Sequence, residues 1–169
     1  MARRETWYFP AIMEPKSDSD PRSFGGDDGE LGLRFHHVGI AVDSIEDALE
    51  TYVGVLGFEQ VGAPTVVPAE RVRVCFVKVP PGLLLELIEG LDESSPVTGV
   101  LQRRGPGAYH VCYQVDDLDR AVRQLRSRRC LPFRRFEAEE EGGRHRFAFL
   151  LSPHRELFEL CEVADREGR

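Results

Sequence analysis

The chain has 169 residues, of which 41% are hydrophobic and 30% charged, with a formal net charge of −7. That apolar fraction is enough for a packed core and excludes global disorder, and no run approaches the ~20 apolar residues of a membrane-spanning helix. The acidic balance argues against nucleic acid as the main partner. Met1-Ala2-Arg3-Arg4-Glu5 leads into no apolar stretch, so no secretory signal is expected. Cys75, Cys112, Cys130 and Cys161 form no C-x-x-C pair, which predicts reduced, buried thiols in a cytoplasmic protein.

Residues 1–33 are broken by Pro10, Pro15, Pro21, Gly25, Gly26, Gly29 and Gly32, and are expected to form a flexible tail. Order is predicted to begin at Phe35. His36-His37-Val38-Gly39-Ile40-Ala41-Val42 has strand composition, with Val38, Ile40 and Val42 on one face and His37, Gly39 and Ala41 on the other. Ser44 then signals a helix start with Asp47 three residues on, and Gly57 closes the helix. Three strands follow at Phe58–Val61, Val72–Val79 and Leu83–Glu89.

The same β-α-β-β-β order recurs. Ala108–Val115 reads as a strand and Asp117 starts a second helix. Strands are expected at Leu131–Phe136, Arg146–Leu151 and Glu156–Glu162. His110 lies 73 residues after His37, and Glu159 lies 73 after Glu86. The same shift takes Val42 to Val115, Arg73 to Arg146 and Phe76 to Phe149, which marks a tandem duplication. The expected organisation is one domain over 34–163, with module one at 35–90, a linker helix within 91–107 and module two at 108–163. A polar end occupies 164–169.

Glu86 sits in Leu83-Leu84-Leu85-Glu86-Leu87-Ile88 and Glu159 in Leu157-Phe158-Glu159-Leu160-Cys161. A carboxylate buried in such a strand costs several kcal/mol unless it is paired. Two of them at matched positions, each mirrored by a matched histidine, form a two-His, two-Glu set suited to one divalent metal ion. Strand alternation selects His37 over His36, which is expected to face the helix side or the sheet edge. His145 and His154 have no repeat partner and are expected on the surface or in loops. Arg144, His145 and Arg146 follow Gly142-Gly143 and could hold a carboxylate or phosphate. Glu137, Glu139, Glu140 and Glu141 read as a solvated loop, and Arg120–Arg129 as the exposed face of the second helix.

Tandem β-α-β-β-β modules with His and Glu on their first and last strands resemble the vicinal oxygen chelate (glyoxalase/bleomycin resistance/dioxygenase) superfamily. The carrying segments are Phe35–Val42, Leu85–Glu89, Asp92–Gly105 and Ala108–Leu118. The resemblance implies an α+β fold in which both modules form one cupped mixed β-sheet around a single metal. It implies His37, Glu86, His110 and Glu159 as the metal ligands. Within the superfamily the segments are most similar to the methylmalonyl-CoA epimerase family. That likeness implies a divalent-metal-dependent isomerase acting on the α-carbon of a methylmalonyl-CoA-like thioester through a metal-stabilised enolate. Glu159 would be one acid/base group, with Glu70, Gln114 or His145 as candidates for the second. The implied partner is a small-molecule acyl thioester or other carbonyl compound, with no nucleic acid and no membrane, and with room for a homodimer. Tyr109-His110 stands where the epimerases tend to carry two histidines, and Pro68-Ala69-Glu70-Arg71 replaces a Pro-Glu-Gln-Gly turn. The other readings are a glyoxalase-like lyase or tailoring enzyme using the same ligands, and a metal-free drug-binding protein.

Overall fold

The computed structural model of the chain describes residues 30–140 and 143–163, without the side chains of 139, 140 and 143. The elements run β1 (Arg34–Ala41), α1 (Ile45–Leu49, continued by a π-helical segment, Glu50–Val55), β2 (Glu59–Val67), β3 (Val72–Val79) and β4 (Leu83–Gly90). Helix α2 (Pro96–Arg104) connects these to β5 (Gly107–Gln114), α3 (Leu118–Ser127), β6 (Leu131–Glu140), β7 (Gly143–Leu151) and β8 (Leu157–Glu162). Strands β1 and β5 begin and end 73 residues apart, and so do the first residues of α1 and α3. Among the described residues, no helix is long and apolar enough to cross a membrane.

All eight strands form one mixed sheet in the order β2-β3-β4-β1-β5-β8-β7-β6. Within each module the first strand pairs in parallel with the last, β1 with β4 and β5 with β8. The modules join through an antiparallel β1–β5 seam. The sheet curls until its two edges meet. Arg134 on edge strand β6 donates from Nε to Oε1 of Glu70, in the turn after edge strand β2, at 2.5 Å. Phe136 of β6 packs on a core cluster that includes Val67 of β2. Helix α3 covers one flank with Leu118, Ala121, Val122 and Leu125, and Ile45 fixes α1 over Val77 and Leu87.

Both helix starts are built alike. Ser44 accepts from the Asp47 amide at 3.2 Å and Asp117 from the Arg120 amide at 2.8 Å. A carboxylate from each module's last strand takes the next free amide, Glu89 from Ile45 at 2.9 Å and Glu162 from Leu118 at 2.6 Å. Negative charge there suits the positive end of the helix dipole. Arg73 then bridges Glu89 to Glu46, and Arg146 bridges Glu162 to Asp119, each network 73 residues from the other.

Several expectations need correction. Strand β2 extends to Val67, because Gly62 (φ 74°) carries it through an irregularity before pairing resumes at Thr65. Strand β6 extends to Glu140, so Glu137, Glu139 and Glu140 are strand residues and not a loop, while Glu141 lies outside the described residues; Glu137 stands on the outer face between the inward Phe136 and Ala138, ion-paired with Arg144. Arg146 is taken up by its internal carboxylates. His145 is a buried strand residue of β7, whereas His154 is exposed in a turn as expected. The tail expectation falls mostly on residues outside those described. Leu31, inside its predicted range, packs against the α3 core. All four cysteines are buried and free.

Candidate metal centre

Register explains how four distant side chains meet. On β1, Gly39 lies opposite Glu86 of β4 on one side and His110 of β5 on the other. One row further along the seam, Cys112 of β5 lies between His37 of β1 and Glu159 of β8. Each row is therefore ligand, spacer, ligand, and the two rows are related by the duplication. Gly39 has a steric duty, since a Cβ there would lie 2.4 Å from the His110 ring.

The four donors converge. His37 Nε2 lies 3.2 Å from His110 Nε2, 3.1 Å from Glu86 Oε2 and 3.6 Å from Glu159 Oε2. His110 Nε2 lies 3.4 Å from Glu159 Oε2 and 3.8 Å from Glu86 Oε2. His37 is 1% exposed, and His110 and Glu159 are each 5% exposed. These separations are close to the ~3 Å spacing of neighbouring ligands around an ion with bonds of about 2.1 Å. Among the described residues, no lysine or arginine lines the cavity above them. Burial and the neighbouring His110 lower the His37 pKa to about 3, so His37 is neutral and cannot balance two carboxylates. Burial pulls His110 down as well, but its hydrogen bond to Glu159 and the charges of Glu159, Glu86 and Glu70 outweigh this and hold it above the ordinary histidine value. Burial raises Glu86. Two carboxylates and two imidazoles at this spacing suit a divalent cation that accepts mixed nitrogen and oxygen ligands.

The donors form the floor of a cavity lined by both modules. Val72, Val74, Ile88, Val97, Phe136 and Phe149 give it an apolar wall, and Glu70 and Tyr109 are polar groups on it. Glu70 is raised by burial against the opposing pull of Arg134, which also donates to the Ala69 carbonyl at 2.6 Å. Burial and the nearby carboxylates push the Tyr109 phenol up to about 12. Of the three candidates for a second acid/base group, only Glu70 lines the cavity. Gln114 and His145 do not.

His36 corrects the sequence reading. It is 3% exposed rather than at the edge, and its Nδ1 lies 2.7 Å from His37 Nδ1. The β1 register slips between Phe35 and His37, and this bulge accounts for two successive histidines both being buried. Burial lowers its pKa to about 4. The doublet was visible in the sequence, but the slip that decides its orientation was not.

Residues 36–149 match the family described as the Glyoxalase/Bleomycin resistance protein/Dioxygenase superfamily, and the chain belongs to it. Particular relatives narrow the likeness. The ethylmalonyl-CoA/methylmalonyl-CoA epimerase of Cereibacter sphaeroides is 41% identical over 86 residues, 50% of this chain and 63% of that protein. The chain thus spans less than two thirds of that curated relative. The crystal structure of methylmalonyl-CoA epimerase from Mycobacterium tuberculosis superimposes with a TM-score of 0.67 at 31% identity, covering 78% of this chain and 89% of that one. A Streptomyces coelicolor methylmalonyl-CoA epimerase variant in complex with 2-nitronate-propionyl-CoA gives a TM-score of 0.66 at 27% identity, covering 78% and 98%.

Proposed function

We propose that the chain epimerises the α-carbon of a methylmalonyl-CoA-like thioester, with a divalent metal ion held by His37, Glu86, His110 and Glu159. The observation that carries this reading is the pair of carboxylates, Glu159 on the cavity floor and Glu70 on its wall, beside one converged donor set. Inversion at carbon needs a proton removed from one face and returned to the other, hence two acid/base groups. A bound divalent ion would act as a Lewis acid, stabilising negative charge on the substrate's carbonyl and carboxylate oxygens.

Glu159 is the group at the floor, and its carboxylate is kept in place by His110 and His37. Glu70 is held on the wall by Arg134 Nε. Its raised pKa brings it nearer to neutrality and suits it to give and take a proton. The apolar wall excludes water from the reacting carbon, which strengthens the local electrostatics. Substrate class comes from the named relatives, which include epimerases of methylmalonyl-CoA and ethylmalonyl-CoA.

The test is α-proton exchange in D₂O with one epimer of methylmalonyl-CoA and cobalt-loaded protein. Deuterium entry with inversion is expected, and Glu70→Gln and Glu159→Gln should each suppress it. Cobalt binding with no exchange would discard this substrate and favour a lyase or tailoring activity on another carbonyl compound. If no cation binds, the donor-set argument fails.

A further inference from the structure

We propose that His36 is a positioning residue that holds His37 in the one tautomer able to bind a cation. The inference rests on the preceding reading that a cation occupies the centre. His37 and His36 approach through their Nδ1 atoms at 2.7 Å, both inside the protein. At that distance one Nδ1 carries the hydrogen and the other accepts it. His37 presents Nε2 to Glu86, Glu159 and His110. To give its Nε2 lone pair to a cation, a neutral His37 must carry its only proton on Nδ1. His37 Nδ1–H is then the donor and His36 Nδ1 the acceptor, and the proton of His36 sits on its own Nε2. The His36 ring lies among soft groups, with a ring nitrogen and the Cys112 and Cys161 sulfurs all within 4.8 Å of one another.

The duplication supplies an internal control. Tyr109 stands 73 residues after His36, immediately before the second histidine. It meets His110 only ring against ring, with centroids 5.1 Å apart. Among the described residues, His110 Nδ1 is buried with no hydrogen-bond partner. Phe76 and Phe149, 73 residues apart, pack edge-on against His37 and His110 at 5.5 and 5.3 Å, so the two imidazoles differ at Nδ1. His110 is wedged between Tyr109 and Phe149 above Gly39. His37 is oriented by a hydrogen bond, in the way that a carboxylate or carbonyl usually orients a metal-binding histidine. The bulge in β1 makes this possible by bringing His36 inside.

Calorimetric titration of the metal-depleted full chain with Co²⁺ tests the proposal. His36→Phe keeps a ring and removes the acceptor, and it is expected to weaken Co²⁺ binding about 10–100-fold. His36→Asn offers a carbonyl oxygen near the position of Nδ1 and should restore most of the affinity, which a purely space-filling role would not predict. NMR of the unaltered, Zn²⁺-loaded protein needs no variant and should find the His37 proton on Nδ1. Undiminished Co²⁺ affinity in a folded His36→Phe variant, or a His37 Nδ1 without a proton, overturns the role of His36 alone. No Co²⁺ binding by the unaltered protein removes the metal reading and this inference with it.

Discussion

The two modules share a backbone plan and diverge in the interior of the cup. The strand seam, the helix-capping carboxylates, the bridging arginines and the four converging donors all recur at the 73-residue interval. Phe76 against His37 and Phe149 against His110 recur too, but several other inner positions do not. Gly39, Val72 and Ile88 in module one correspond to Cys112, His145 and Cys161 in module two. Val72 and Ile88 line the cavity, whereas His145 and Cys161 do not and are buried in packed structure. Inner positions are free to set where a substrate fits.

The largest effect should come from breaking the chemical equivalence of the two glutamates. Glu159→Gln keeps an oxygen donor and removes a base, so α-proton exchange should fall roughly 10²–10⁴-fold. Its repeat counterpart Glu86→Gln should fall much less, as judged by deuterium incorporation at equal cobalt loading. Next, Gly39→Ala drives a Cβ into the His110 ring and should cost about 1–3 kcal/mol in urea unfolding. Cys112→Ala, at the matching position, only removes a sulfur and should cost less.

A pH series on metal-free protein separates the modules further. His36 and His37 have folded pKa values of about 4 and about 3, below the ordinary 6.5. The unfolded chain therefore binds more protons between those limits. The stability from keeping both rings neutral is present above pH 6.5 and lost as pH falls toward 3. Each group can contribute a slope of up to about 1.4 kcal/mol per pH unit. His36→Asn should flatten the melting-temperature profile over that window. The smallest effects belong to the outer networks: Arg73→Met and Arg146→Met should each cost about 1 kcal/mol or less and match one another.

Much of this architecture was legible in the residues. The interval between His37 and His110, repeated between Glu86 and Glu159, pointed to the repeated element order and to four side chains that the structure brings together. What stayed hidden depended on departures from regular strands. The slip after Phe35 turned His36 inward, and the irregularity at Gly62 lengthened β2. Burial of His145 followed from β7 starting at Gly143, before the Arg146 expected from composition. Capping by Glu89 and Glu162 also went unread, because it joins residues 44 positions apart whose contact exists only once the helix lies on the sheet. The link between Glu70 and Arg134 required the two sheet edges to meet, which no local pattern encodes.

The seam between the modules also bears on connectivity. Helix α2 carries the chain from the end of β4 to the start of β5, stepping over β1, where Ala41 pairs with Ile88 on one side and Gly107 on the other. At the opposite rim, Gln114 of β5 pairs with Arg34 at the start of β1 and with Cys161 near the end of β8. The first and last strands thus lie two strand spacings apart, about 9–10 Å. A peptide bridge over Gln114 would mirror α2, and a chain cut within the exposed turn at Leu91–Glu93 would run module two first and module one second. The sheet, its seam and the converged donors would be indifferent to that order.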